Sequence, residues 1–157
     1  MCPWSHPGSG LLSRVSVVED QDRRIVDLLR ADGRMSYTDL GKAMGMSTSA
    51  VHQRVRRLEE RGVIKGYAAL VDHTALDLPL TAFISITPLD PAAPDDIPDR
   101  LSDIPELEAC HSVAGEENYI LKARVRTPAN LEDLLARVRA TANVATRTTV
   151  VLSTAWE

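Results

Sequence analysis

Cysteine is scarce in this chain, and that scarcity sets the first limits. Its 157 residues include two, Cys2 and Cys110. Two cannot build a disulfide framework, and neither has histidine or cysteine neighbours at metal-ligand spacing. No metal site and no cofactor is therefore expected, and Cys110, in a strand-like run, reads as a buried thiol. No apolar run approaches the ~20 residues that span a bilayer. The N-terminus lacks the basic start and apolar core of a secretory signal. A cytoplasmic protein without a membrane partner is the expectation. A Ser/His/Asp set and a phosphate-cradling glycine loop are missing as well, so no motif points to an enzyme. Acidic residues are absent from Leu40 to Leu58, an interval where anions would be unwelcome beside a polyanionic partner.

What is present is the composition of a globular protein, 44% hydrophobic and 25% charged. The length suits one ordinary domain or two small ones. The net charge of −4 divides unevenly. Asp20 to Gly66 holds ten Lys/Arg and seven Asp/Glu, a balance of +3. Tyr67 to Glu157 holds seven Lys/Arg and fourteen Asp/Glu, a balance of −7. A mildly basic front half on an acidic back half fits a DNA reader joined to a domain with another task.

The basic half contains the most informative stretch, Ser36 to Gly62. Ser36 with Asp39 three residues on has capping-box spacing, and Leu40 and Ala43 supply an apolar face. Met44-Gly45-Met46 then reads as a tight turn, because glycine takes the left-handed conformation that ends a helix. Ser47 caps the next helix and Gly62 marks its stop. Val51, Val55 and Leu58 give that helix a buried stripe. Its opposite face carries Ser49, His52, Gln53 and Arg56, side chains able to bond base edges. Arg57 and Lys65 are placed to meet phosphates. Arg54 is assigned to phosphate too, although its place beside the buried stripe also suits a structural ion pair. His52 reads equally as a DNA contact or as a solvated helix residue. The bland alternative is a helix-turn-helix that never touches DNA, its arginines merely solvated. The conjunction of turn length, caps, polar front and missing acids favours double-stranded DNA.

Residues 1–18, rich in Pro, Gly and Ser, are expected to form a mobile arm. Residues 19–66 form the DNA-binding unit, opened by a helix that Asp20 caps, with Ile25, Leu28 and Leu29 inside. Val63-Ile64 and Tyr67–Val71 read as strand, which makes the unit a winged helix-turn-helix, and 67–79 serve as strand and linker. Beyond them the period changes. Thr81 to Thr87 alternates as a strand. A helix follows with Ile97, Leu101 and Ile104 inside. Leu107, Ala109, His111 and Val113 alternate in a second strand. Tyr119, Leu121, Ala123 and Val125 share one face of a third. Asn130 caps a helix carrying Leu131, Leu134, Leu135 and Val138, and Val144 to Thr154 supplies the last strand. Residues 80–157 thus read as βαββαβ, a ferredoxin-like α+β domain with both helices on one sheet face. A second subunit is the simplest cover for the other face.

The order of parts and several strings resemble the Lrp/AsnC (feast/famine) regulators of bacteria and archaea. The strings are Asp20 to Ile25, Ser47 to Glu59, Gly62-Val63-Ile64 and Gly115 to Tyr119, and the resemblance spans roughly 18 to 155, nearest to the actinobacterial global regulators. It implies a sequence-specific DNA-binding regulator whose occupancy responds to a small effector, usually an amino acid. It also implies homodimers through the effector domain that ring into octamers. The effector is then expected between dimers at the loop Gly115 to Tyr119, which includes Glu117. Ser112 and Asn118 would bond its polar groups, backbone N–H groups near Gly115 its carboxylate. Thr146 and Thr148 would line the other side. Asn118 stands where many members have Asp, and Asp77-Leu78-Pro79 replaces a glycine common at the start of the effector domain. The same loop also reads as a plain hairpin turn. The rival from another class is a sirohaem-decarboxylase-like enzyme on the same two-domain plan. It would need a basic, histidine-bearing cleft, and the acidic half offers His73 and His111, the latter expected to be buried.

Overall fold

The computed structural model describes residues 19–156, so the arm expected at 1–18 lies outside the described residues. The chain divides after Leu70 into two compact units. The first holds α1 (Asp20–Ala31), α2 (Tyr37–Met44) and α3 (Thr48–Glu60). Their apolar stripes meet in a small core in which Ile25, Leu40, Val51, Val55 and Leu58 are fully buried. Ser36 caps α2 as its spacing to Asp39 requires. Ser36 Oγ accepts from the Asp39 N–H at 3.1 Å and donates to Asp39 Oδ2 at 2.7 Å. Gly45 closes α2 with φ +65, a left-handed position that costs other residues strain. Ser47 Oγ accepts from the Ala50 N–H at 3.2 Å and starts α3.

Two local readings change. Asp20 is the first helical residue of α1 and the cap position is Glu19, without a side-chain cap bond. Asp20 and Asp22 instead place negative charge in the first turn, where the helix dipole favours it. The expected wing is also missing, because residues 63–71 contain no strand. Tyr67, Leu70 and Val71 are exposed. Strand composition alone does not make a strand, since a ladder needs a second edge and none in this unit is offered.

The second unit is the expected βαββαβ. It runs β1 (Leu80–Pro88), α4 (Ile97–Leu101), β2 (Leu107–Ser112), β3 (Tyr119–Val125), α5 (Pro128–Ala142) and β4 (Val144–Val150). The sheet order is β2-β3-β1-β4, antiparallel throughout. Ala82, Ile84 and Ile86 pair with Ala123, Leu121 and Tyr119 on one face. That face packs on Ile97 and Leu101 of α4 and Leu131, Leu134 and Val138 of α5. The opposite face carries Phe83, Ser85, Ile120, Lys122, Arg124 and Arg147, with Phe83 40% exposed.

Three details depart from expectation. Thr127, not Asn130, caps α5, its Oγ1 accepting the Asn130 N–H at 3.2 Å. The last strand ends at Val150 rather than Thr154. A bulge between Leu107 and Ala109 breaks the alternation of β2. Leu107 shares the helix-covered face with Ala123, but His111 then pairs with Ile120 on the open face. His111 and Cys110 are both exposed on this edge strand, where burial was expected.

Candidate functional site

Helix α3 presents the first site. With Val51, Val55 and Leu58 turned inward, Ser47, Ser49, His52, Gln53, Arg56 and Arg57 are all exposed. The Ser47 and Ser49 hydroxyls lie 3.2 Å apart at its N-terminus. His52 meets the ring of Tyr37 edge-on, centroids 5.0 Å apart, so α2 steadies it. Arg56 Nε donates to Glu60 Oε1 at 2.8 Å, one helical turn on. Both side chains are well exposed, 72% and 59%, so the pair holds Arg56 weakly and leaves it able to swing to another acceptor. Lys65 is exposed just past the helix. Tyr67 donates its hydroxyl to Glu59 at 2.9 Å, and partial desolvation of that hydroxyl, followed by the carboxylate, pushes its pKa up to about 12.

Arg54 does not join this face. Its guanidinium donates to Asp22 at 2.7 Å and to Glu19 at 3.2 Å, both on or beside α1. Hydrogen bonds to those carboxylates, Asp22 first, raise its pKa and fix it as a cation. Of the two functions open to it, the structure places it in the ion pair that ties α3 to α1, and the phosphate assignment is corrected accordingly. Asp22 (5% exposed) is a buried charge that needs this partner.

The second site is a cavity of about 430 Å³ in the other unit. Ser112, Gly115, Glu117, Asn118 and Tyr119 line one side of it. Val113 N–H donates to the Asn118 carbonyl at 3.0 Å, and Asn118 N–H to the Ile86 carbonyl at 3.1 Å, so the hairpin loop is pinned to the sheet. The facing wall is the segment after β1, with Pro88, Pro91, Pro94 and Asp95. Gly115 is not left-handed, and a Cβ added there would meet nothing closer than Glu117 Oε2 at 4.0 Å. The loop forms one wall of a space large enough for an amino acid.

Glu117 is bonded to the Arg147 guanidinium on β4. Tyr119, 5% exposed, donates its hydroxyl to the Asp95 carboxylate. Thr146 and Thr148 do not reach this cavity. They pair with Ile86 and Ile84 on the helix-covered face of β4, at the opposite edge of the sheet from β2. Thr146 Oγ1 accepts from Arg139 Nε at 2.9 Å instead. Asp22 and Asp95 were not singled out from the sequence, since each depends on a partner far along the chain. Among the described residues no group of His, Cys, Asp and Glu is gathered for a metal ion, and no helix is long and apolar enough to cross a membrane.

Comparison with known proteins matches both units. A family model described as the AsnC-type helix-turn-helix domain covers residues 19–59, and one described as the Lrp/AsnC ligand binding domain covers 81–157. The HTH-type transcriptional regulator LrpA of Mycobacterium tuberculosis is 53% identical over 87% of this chain and 91% of its own. The leucine-responsive regulatory protein of Escherichia coli K12 is 41% identical over 66% of this chain and 65% of its own. Among solved structures, the M. tuberculosis feast or famine regulatory protein complexed with L-methionine superposes with TM-score 0.87 at 52% identity, covering 89% of this chain and 95% of that one. LrpC of B. subtilis does so with TM-score 0.78 at 29% identity, covering 87% and 95%.

Proposed function

The chain belongs to the Lrp/AsnC family, and on that premise we propose that it is a transcriptional regulator that reads DNA through α3 and answers to an amino acid. The observation that carries the reading is the exposed row Ser49, His52, Gln53, Arg56 on a doubly capped helix whose other face is core. Such a helix enters the major groove, and a two-fold dimer reads paired half-sites. Gln53 matches adenine and Arg56 guanine by bidentate bonding. Arg57 and Lys65 take phosphates, with Ser47 and Ser49 near the helix start. The effector belongs in the cavity closed by Gly115 to Tyr119, whose size suits an amino acid, and the L-methionine complex of the M. tuberculosis relative supports that ligand class.

Dimerisation through the open sheet face would cover Phe83 and Ile120. A second copy would also give Tyr67–Val71 the edge it lacks, and ligand between dimers would act by favouring one assembly, octamer included, over another. A cytoplasmic regulator is preferred to a sirohaem-decarboxylase-like enzyme because the relatives above are named regulators. A bound tetrapyrrole or measurable decarboxylation would reverse that preference.

Promoter titration at two salt concentrations tests the DNA reading. Arg56→Ala is expected to lose about 1–3 kcal/mol at the specific site and relax selectivity at one base pair. Arg57→Ala should lower affinity for every sequence and flatten the salt dependence. Equal, sequence-independent losses in both would refute Arg56 as a base reader.

A further inference from the structure

We propose that Asp95 receives the ammonium group of the ligand, so that the cavity selects for a free amine. This rests on the reading of the cavity as the amino-acid site, and it names the group that performs the selection there. The cavity wall contains no lysine, arginine or histidine, and its charged members are Asp95 and Glu117. These two are not equivalent. Glu117 is bonded to Arg147, and Glu116 lies 3.9 Å from the same guanidinium, so the positive charge on β4 already offsets the loop's acids. Asn118, which follows Glu117, offers a carbonyl and an amide but no charge.

No cation on the cavity wall stands against Asp95. Its carboxylate accepts a hydroxyl hydrogen from Tyr119, a neutral donor. Tyr119 is buried in the sheet core and so fixes the direction in which Asp95 points, while the aspartate itself remains exposed. One carboxylate oxygen is thus oriented by the protein and the other is available to an incoming donor. The neighbours on that wall, Pro91, Ala93 and Pro94, are apolar and offer no competing polar side chain. An ammonium there exchanges water for a charge-assisted bond to a group already held in position, which is the stronger class of hydrogen bond. Backbone N–H groups of the loop remain for the ligand carboxylate, and they have no such charge to offer. The amine is therefore the more strongly discriminated end of the ligand.

The test is calorimetric titration of the full chain, in its own assembly, with L-methionine, L-methioninamide and N-acetyl-L-methionine. Wild type should bind the first two within about tenfold of each other and N-acetyl-L-methionine at least tenfold more weakly than L-methionine. Asp95→Asn keeps an oxygen for the Tyr119 hydroxyl and changes only charge. It should weaken L-methionine by tenfold or more and leave N-acetyl-L-methionine within twofold of wild type. Glu117→Gln should weaken L-methionine by less than threefold. L-Methionine binding to Asp95→Asn within twofold of wild type would overturn the proposal, as would a tenfold loss confined to Glu117→Gln or equal wild-type affinity for the acetylated compound. Failure of wild type to bind any of the twenty amino acids would instead overturn the effector reading on which it rests.

Discussion

Replacing Arg54 with Gln separates a structural cation from a DNA-binding one. The substitution keeps the carbon stem as far as Cδ and shortens the side chain while removing the charge. It leaves the Asp22 carboxylate, 7% exposed at its side chain, without a cationic partner at 2.7 Å. Breaking a fully buried pair costs about 3–5 kcal/mol. Arg54 is 18% exposed and Glu19 is 71% exposed, so water can reach part of the pair and the Glu19 contact adds little. The expected cost is about 2 kcal/mol, which at 1.4 kcal/mol per tenfold is about 30-fold. Hydrogen exchange of the α1 and α3 amides in the full chain should accelerate by that factor, while amides of the sheet keep their wild-type rates. Asp22→Asn should be destabilising alone, and the double variant should recover part of the loss, because the two changes share one interaction. DNA affinity corrected for folded fraction should retain its wild-type salt slope. Exchange within threefold of wild type, together with a salt slope reduced by about one, would refute the ion-pair assignment and return Arg54 to the phosphates.

Ser36→Ala removes the acceptor for the Asp39 N–H and should cost about 1 kcal/mol, read as faster exchange at the start of α2. The bond from Arg137 holds the Glu106 carboxyl below its usual 4.5, so this contribution is present above that pH and fades as pH falls through the lower folded value. Urea unfolding from pH 6 to 3 should show a shallower acid loss in Glu106→Gln than in wild type, and parallel curves would refute the linkage. Phe83→Asp places a charge on the open sheet face and should shift the protein toward monomer in light scattering with the fold intact.

Features set within one turn of chain were legible from sequence. Ser36, Ser47 and Gly45 act on groups three or four residues away, and each does in the fold what its spacing implied. The strands were legible where alternation met a core, as in Tyr119 to Val125. The cap of α5 has a local signal as well, since Pro128 at the first helical position points to Thr127 before it rather than to Asn130. The bulge in β2 left no mark in residue type, so alternation carried past Leu107 put His111 on the wrong face.

The site was harder to read, because its character depends on which charges are already paired. Arg54 and Arg57 are identical as letters, yet Arg54 meets Asp22, 32 residues earlier, and Arg57 faces outward. Glu117 and Asp95 are likewise both carboxylates, and Arg147, 30 residues on from Glu117, makes them different. Thr146 and Thr148 are absent from the cavity lining of this chain because they pair with Ile86 and Ile84 on the helix-covered face, while Arg147 between them reaches Glu117 from the other face. A periodic pattern tells which face of an element is outward. It does not tell which outward charges remain for a partner once the fold has matched its own, and for a regulator that remainder decides what is bound.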